Sequence, residues 1–337
     1  MIRVGVLVIL FGAGLALAWQ ISGTLLMLFA GFLLAAVIDA AVSGLRHVLP
    51  IGRGWLLLIV VALALVLLGA LAVVGGYNIW RQLGDLWAVL VEGADGLLDS
   101  LEQWGLPLGG VLQDERGILD WIPDPQTIFG QAGTAFGMTM GLASDALIVA
   151  LLGVFLAIDP ASYREGVLTL VPTERRARLR EVLNVTGTTL KWWLVGQLAM
   201  MVLVGTLVTI LLLVAGVPYA VLLGLVTGLL NFIPFLGPIL AGIPLLLALI
   251  PEGWGTLAWV MAVFLVIQWI EGYLINPFVQ QKVVHIAPAL GLSFLAIMAA
   301  LFGGLGVALA IPLLAVLRVL VLELYVKDVL GDRSQTI

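Results

Sequence analysis

Cysteine is absent from the 337 residues, which excludes structural disulfides, thiolate metal sites and thiol catalysis. Charge is scarce. Asp, Glu, Lys and Arg make up 10% of the chain, against about 25% in soluble domains. The two histidines, His47 and His285, lie far apart and are too few to predict a metal centre. No glycine-rich phosphate loop with its lysine occurs, so ATP is not expected to drive anything here. Ser, His and acidic residues form no recognisable triad, and the apolar runs hold neither a histidine nor an Asp dyad at helical placement. An enzyme is therefore not expected, and no cofactor is implied. The net charge of −5 is modest and uneven, with nothing like a basic nucleic-acid face.

What fills the chain is apolar: 62% of its residues are hydrophobic. A soluble domain of this size needs a largely polar skin, so the composition predicts an all-α polytopic membrane protein. Residues 4–38 carry no charge. As one helix they would run about 52 Å, well beyond the roughly 30 Å hydrocarbon core, so Gln20, Ser22, Gly23 and Thr24 are expected to turn the chain between two short spans. Arg3, the apolar run and Ala16-Leu17-Ala18 have the outline of a cleavable signal. The apolar pattern continues to Val37, however, and the segment is expected to stay as the first helix.

About eight membrane segments are expected on this reading, divided by composition. Residues 1–77 hold three transmembrane helices, 78–135 an acidic amphipathic extracytoplasmic segment, and 136–158 a fourth span. Residues 159–191 form a basic cytoplasmic segment, 192–326 a transport core and 327–337 a cytoplasmic tail. Nine acids against Arg81 and Arg116 mark 78–135 as outside, while Arg164, Arg175, Arg176, Arg178, Arg180 and Lys191 mark 159–191 as inside. Both termini are then cytoplasmic. Leucines from Leu83 to Leu101 recur at helical spacing among the acids, as amphipathic helices over the spans would require. Thr173 is placed to cap a surface helix that runs into span five behind Trp192 and Trp193, its arginines meeting lipid headgroups.

Two segments, 219–250 and 289–317, are apolar but interrupted, each a re-entrant hairpin or a kinked full span. The first carries "NFIPFLGP" at 231–238, the second "FGGLGVALAIP", and "AGIPLLLAL" at 241–249 echoes "LAIPLLAVL" at 309–317. Proline removes a backbone donor, and freed carbonyls survive at membrane depth only when buried in protein or lining a wet cavity. Paired breaks are the sequence pointer to a transporter's binding site. Candidate substrate residues are therefore Asn231, Pro234, Phe235, Gly237 and Pro238 in the first break and Phe302, Gly303, Gly304 and Gly306 in the second. Glu271 ends an uncharged run from Trp254, with Gln268 one turn earlier on the same face. A carboxylate at that depth marks an ion or substrate pathway, or else an interfacial group bonded to Tyr273 or a backbone amide. Asp145 in the fourth span is the second candidate for ion coupling, with Ser144 or water as its ordinary partner.

The stretches "LLGLVTGLLNFIPFLGPILAGIP", "QWIEGYLINPFVQQKVVHIAPAL" and "LFGGLGVALAIPLLAVL" resemble the signature region of the autoinducer-2 exporter (AI-2E) family of bacterial membrane transporters. "LLAAVIDAAVSGL" and "LVPTERRARLREVLNVTGTTLKWWLVGQ" resemble its N-terminal and central segments. Where that family commonly has an asparagine-proline pair, this chain has Ile38-Asp39-Ala40, and Asp39 is expected to be a polar cap at a membrane edge. The resemblance implies an inner-membrane transporter exporting a quorum-sensing furanosyl signal or exchanging sodium or lithium for protons. The expectation is thus a secondary active exporter of a small polar solute, driven by H⁺ or Na⁺ and forming a homo-oligomer. A Na⁺(Li⁺)/H⁺ antiporter, a passive channel and a membrane scaffold are the alternatives. Opposed hairpins place 276–288 inside; straight spans place it outside.

Overall fold

The computed structural model describes residues 20–66, 85–86, 88–93, 96, 134–275 and 287–332, which are helical with short connections and no strand. The helices are α1 (Ser22–Arg46), α2 (Arg53–Val66), α3 (Thr134–Ile158), α4 (Pro160–Thr169) and α5 (Thr173–Val214). They continue with α6 (Ala220–Leu230), α7 (Gly237–Leu249), α8 (Trp254–Ile270) and α9 (Pro288–Leu320). π-Helical turns extend α8 over Glu271–Ile275 and α9 over Val321–Lys327. Among the described residues, four helices are long and apolar enough to cross a bilayer: Ser22–Arg46, Thr173–Val214, Trp254–Ile275 and Pro288–Lys327. α3 and α4, bent by 87° at Asp159, make a fifth if counted together. The expected first span, most of 78–135, the loop with Lys282 and His285, and the end of the tail lie outside the described residues.

The chain forms two compact units: Met1–Val61, Ala143–Leu194 and Val284–Ile337 in one, Ala62–Leu142 and Val195–Val283 in the other. α5 passes from the first to the second after Leu194. In the first unit, Ala35, Ile38 and Val42 of α1 pack with Leu56 of α2 and with Leu156 and Ala157 of α3. Asp159 accepts from the backbone N–H and hydroxyl of Ser162 at 3.2 and 2.6 Å, capping α4 behind Pro160. Those bonds hold its carboxyl below the usual range.

α9 is not straight. Gly303 takes φ 58°, ψ −142°, outside the helical region, and only glycine adopts it without strain. Beyond it the chain folds back until Gly306 packs against the carbonyl of Met298. An unbroken helix would keep those two residues about 12 Å apart along its axis. At the far end, buried Glu323 accepts from Arg178 Nη2 at 2.8 Å and Lys327 Nζ at 2.6 Å. Arg178 also donates to the Glu323 carbonyl, Asp328 and Glu181, tying the end of α9 to the start of α5.

The second unit is built around a hairpin. α5 ends in a Schellman turn, with Gly216 N–H bonded to the Leu213 carbonyl and Val217 N–H to the Leu212 carbonyl, and Gly216 at φ 73°. Pro218 follows, and α6 returns against α5 with Gly224 and Gly228 facing Gly205. Residues from the start of α6 (Ala220, Leu223) and the end of α7 (Leu245, Leu249) share one buried cluster with Leu212 and Val260. That is possible only if the chain reverses between the two arms. With 11 and 13 residues, the arms are about 17 and 20 Å long, short of the hydrocarbon thickness. Leu86, Val89 and Leu90 pack on the same cluster.

Candidate functional site at the hairpin turn

The turn between α6 and α7 has little freedom. Gly237 lies so close to the Leu230 carbonyl and the Asn231 backbone that a Cβ there would collide with both. Pro238 sits in the first turn of α7, where no donor is needed. Pro234 supplies no amide either, and Phe235 takes φ 69°, a left-handed conformation that is an outlier for a bulky side chain. Strain of this kind costs about 1–3 kcal/mol and persists where surrounding packing imposes it, often at functional sites.

Continuing α6 would give the Asn231 carbonyl to the amide of residue 235. Here it accepts instead from Gln197 Nε2 on α5, at 2.6 Å, both residues being buried. The Asn231 side chain turns the other way, donating from Nδ2 to Glu271 Oε1 on α8 at 2.8 Å. Glu271 Oε2 is buried without a hydrogen-bond partner among the described residues. Both polar atoms of the Gln268 side chain, one turn earlier on α8, are likewise buried and unpaired among them. A buried polar atom without a partner costs about 1–3 kcal/mol, so three together among the described residues make this the candidate site.

Aromatic side chains show where this lies along α8. Trp254 and Trp259 are exposed near its start, and Trp269 and Tyr273, with ring centroids 5.7 Å apart, are exposed near its end. Trp254 to Tyr273 covers about 29 Å, close to the hydrocarbon thickness, so Glu271 stands near one interface, with the hairpin turn brought to it. The π-helical turn beginning at Glu271 shifts the side-chain register there, a device frequent at functional sites.

Asn231, Gln268 and Glu271 thus come together, while Pro234, Phe235, Gly237 and Pro238 shape the turn that holds Asn231. Phe302, Gly303, Gly304 and Gly306 form the break of α9 in the first unit, and Asp145 is half-buried on α3, also in that unit. Gln197 was not among the residues the sequence singled out. Its signal was available, since it is the only amide side chain in the apolar half of α5.

Long apolar helices, with a part-buried carboxylate on one of them facing the turn of a broken apolar segment, define the class of polytopic membrane proteins to which transporters belong. The profile of the AI-2E family transporter matches residues 6–325, and the chain belongs to that family. It is 28% identical over 212 residues to "Putative transport protein YueF" of Bacillus subtilis (strain 168), covering 63% of this chain and 57% of that protein. It is 30% identical over 199 residues to "Putative transport protein YrrI" of the same organism, covering 57% and 56%. The alignments thus span a little over half the length of these curated relatives.

Proposed function

We propose that the protein is a secondary active transporter of the bacterial inner membrane, with both termini cytoplasmic. It moves a small polar organic solute outward at the expense of a proton or sodium gradient. The observation that carries this reading is the hydrogen bond from Asn231 on the hairpin turn to Glu271 on α8, beside three buried polar atoms without partners among the described residues. Charging or neutralising Glu271 changes what the turn is held to, which is how a coupling ion acts on a gate. Gln268 supplies a donor and an acceptor next to it. The Asn231–Pro238 break of the second unit and the Phe302–Gly306 break of the first are each candidates for contacting the solute. Asp145 is a second carboxylate for the coupling ion, and the working form is a homo-oligomer. Family membership and the names of the two relatives agree with transport.

The test is flux in reconstituted vesicles under an imposed pH gradient. Glu271→Gln keeps the size and the acceptor oxygen but not the charge. Normal insertion with loss of the pH dependence is expected, and an unchanged pH dependence overturns the role of Glu271. A second reading, Na⁺(Li⁺)/H⁺ exchange without an organic solute, draws on the cluster itself: the side-chain oxygens of Glu271, Gln268 and Asn231 suit a hard cation. Cation-dependent proton movement in vesicles containing no organic solute would select it.

A further inference from the structure

The first unit contains an open cavity of about 760 Å³ that the transport reading does not use. One face of α1 contributes Phe32, Ala35, Ala36 and Asp39, and one face of α5 contributes Leu183, Asn184, Gly187, Thr188 and Lys191. Both sets follow helical three- and four-residue spacing, so each is a continuous stripe. Arg53, Leu156, Tyr163 and Arg164 complete the chemistry of the wall.

The lining of the cavity holds more cations than carboxylates, with the Glu165 carboxylate beside Arg164 just outside it. Asp39 is shared between Arg53 Nη2 at 3.1 Å and Lys191 Nζ at 3.0 Å, and Lys191 also donates to Ser43 Oγ at 2.9 Å. Arg164 donates from Nη1 to the neutral Asn184 Oδ1 at 3.0 Å. Its Nε–H is buried with no hydrogen-bond partner among the described residues, the Glu165 carboxylate standing 3.7 Å away. Three cations and one carboxylate therefore line the cavity.

The polarity is also graded. α1 meets its first charge at Asp39, α3 gives way at Asp159, and the apolar part of α5 begins just after Lys191 with the exposed Trp192. The cationic wall therefore lies where the apolar helices reach water, and Phe32 and Leu156 line the membrane side. Inorganic phosphate would satisfy the cations but leave that apolar wall wet. A molecule with a phosphate at one end and hydrocarbon at the other matches both.

We propose that this cavity is a binding site for an anionic phospholipid, with the headgroup phosphate held by Arg164, Arg53 and Lys191 and an acyl chain against Phe32 and Leu156. Arg164 lines the cavity with a part-exposed side chain whose Nη1 is bonded to the neutral amide oxygen of Asn184, so its guanidinium edge can meet a phosphate oxygen. Gly187 faces open space, with nothing within 4 Å of a Cβ placed on it, so a larger side chain there enters the cavity without disturbing the helix.

The test uses the full chain, delipidated in neutral detergent, and measures lipid retention by native mass spectrometry. Phosphatidylglycerol is compared with phosphatidylcholine, and glycerol 3-phosphate serves as a soluble competitor. Phosphatidylglycerol is expected to bind in preference to phosphatidylcholine, and glycerol 3-phosphate not to displace it. Arg164→Gln should weaken binding about five- to tenfold, the scale of one lost charge contact. Gly187→Leu should abolish binding in a folded protein, and Arg46→Gln, an exposed arginine in the last turn of α1 outside the cavity, should leave it unchanged. Equal binding of the two lipids overturns the proposal, as does undiminished binding to Gly187→Leu. Displacement by glycerol 3-phosphate overturns it too, in favour of a site for soluble phosphate compounds.

Discussion

Glu271 and Glu323 stand in comparable places and are treated in opposite ways. Each is on a π-helical turn that extends a long apolar helix. Glu323 is enclosed by cations, with Arg178 on one oxygen and Lys327 on the other. Glu271 has one neutral partner, Asn231, and an oxygen with none among the described residues. A buried charge that is fully paired is fixed, because removing either partner strands the other. One held by a single amide can change state while the fold persists. On the proposed function, the difference separates a structural tie from a responsive site, although both glutamates close apolar runs and look alike in sequence.

The strongest way to break this comparison is to unpair Glu323. Arg178→Leu should cost about 3 kcal/mol, read as a fall in the melting temperature of the solubilised protein, because it strips Glu323 of one of its two cations. A stability within about 1 kcal/mol of wild type would remove the distinction. Gln197→Leu comes next, at about 1–3 kcal/mol, since it leaves the buried Asn231 carbonyl without its donor. Its cost should appear in the same melting assay, together with slower solute flux. Phe235→Gly should relieve roughly 1 kcal/mol of left-handed strain and yet lower the flux, separating the stability of the turn from its action. The smallest expected change in stability, under about 1 kcal/mol, belongs to Glu271→Gln, whose effect should be confined to pH dependence. Glu323→Gln sharpens the contrast: it should lower the melting temperature and leave the pH profile of the remaining flux in place.

Much of the candidate site could be read in the sequence because polar groups are conspicuous in apolar runs. Asn231, Gln268 and Glu271 stand out for that reason, and the prolines and glycines of 231–238 and the glycines of 303–306 mark where helices break. Local sequence does not determine the path of the chain beyond a break. A kink and a reversal need the same residues, and reversal at 231–236 depends on the packing of α6 against α5 and α7 against α8, set by residues far along the chain. The left-handed Phe235 was not legible either, since nothing but its surroundings forces a bulky residue there. Nor was the Arg178–Glu323 pair, whose members are 145 positions apart. A single amide in a long span, such as Gln197, carries a weak signal until its partner is known.

If Glu271 governs the hairpin turn, as proposed, the lack of cysteine in the sequence allows this to be tested at the turn itself. Phe235→Cys places a thiol at an exposed position of the turn, 40% accessible in the native side chain. Its rate of reaction with a membrane-impermeant maleimide would be measured in vesicles with and without an imposed pH gradient. The rate is expected to change with the gradient, and the change to disappear when Glu271→Gln is added. A rate with the same gradient dependence in both backgrounds would contradict that role of Glu271.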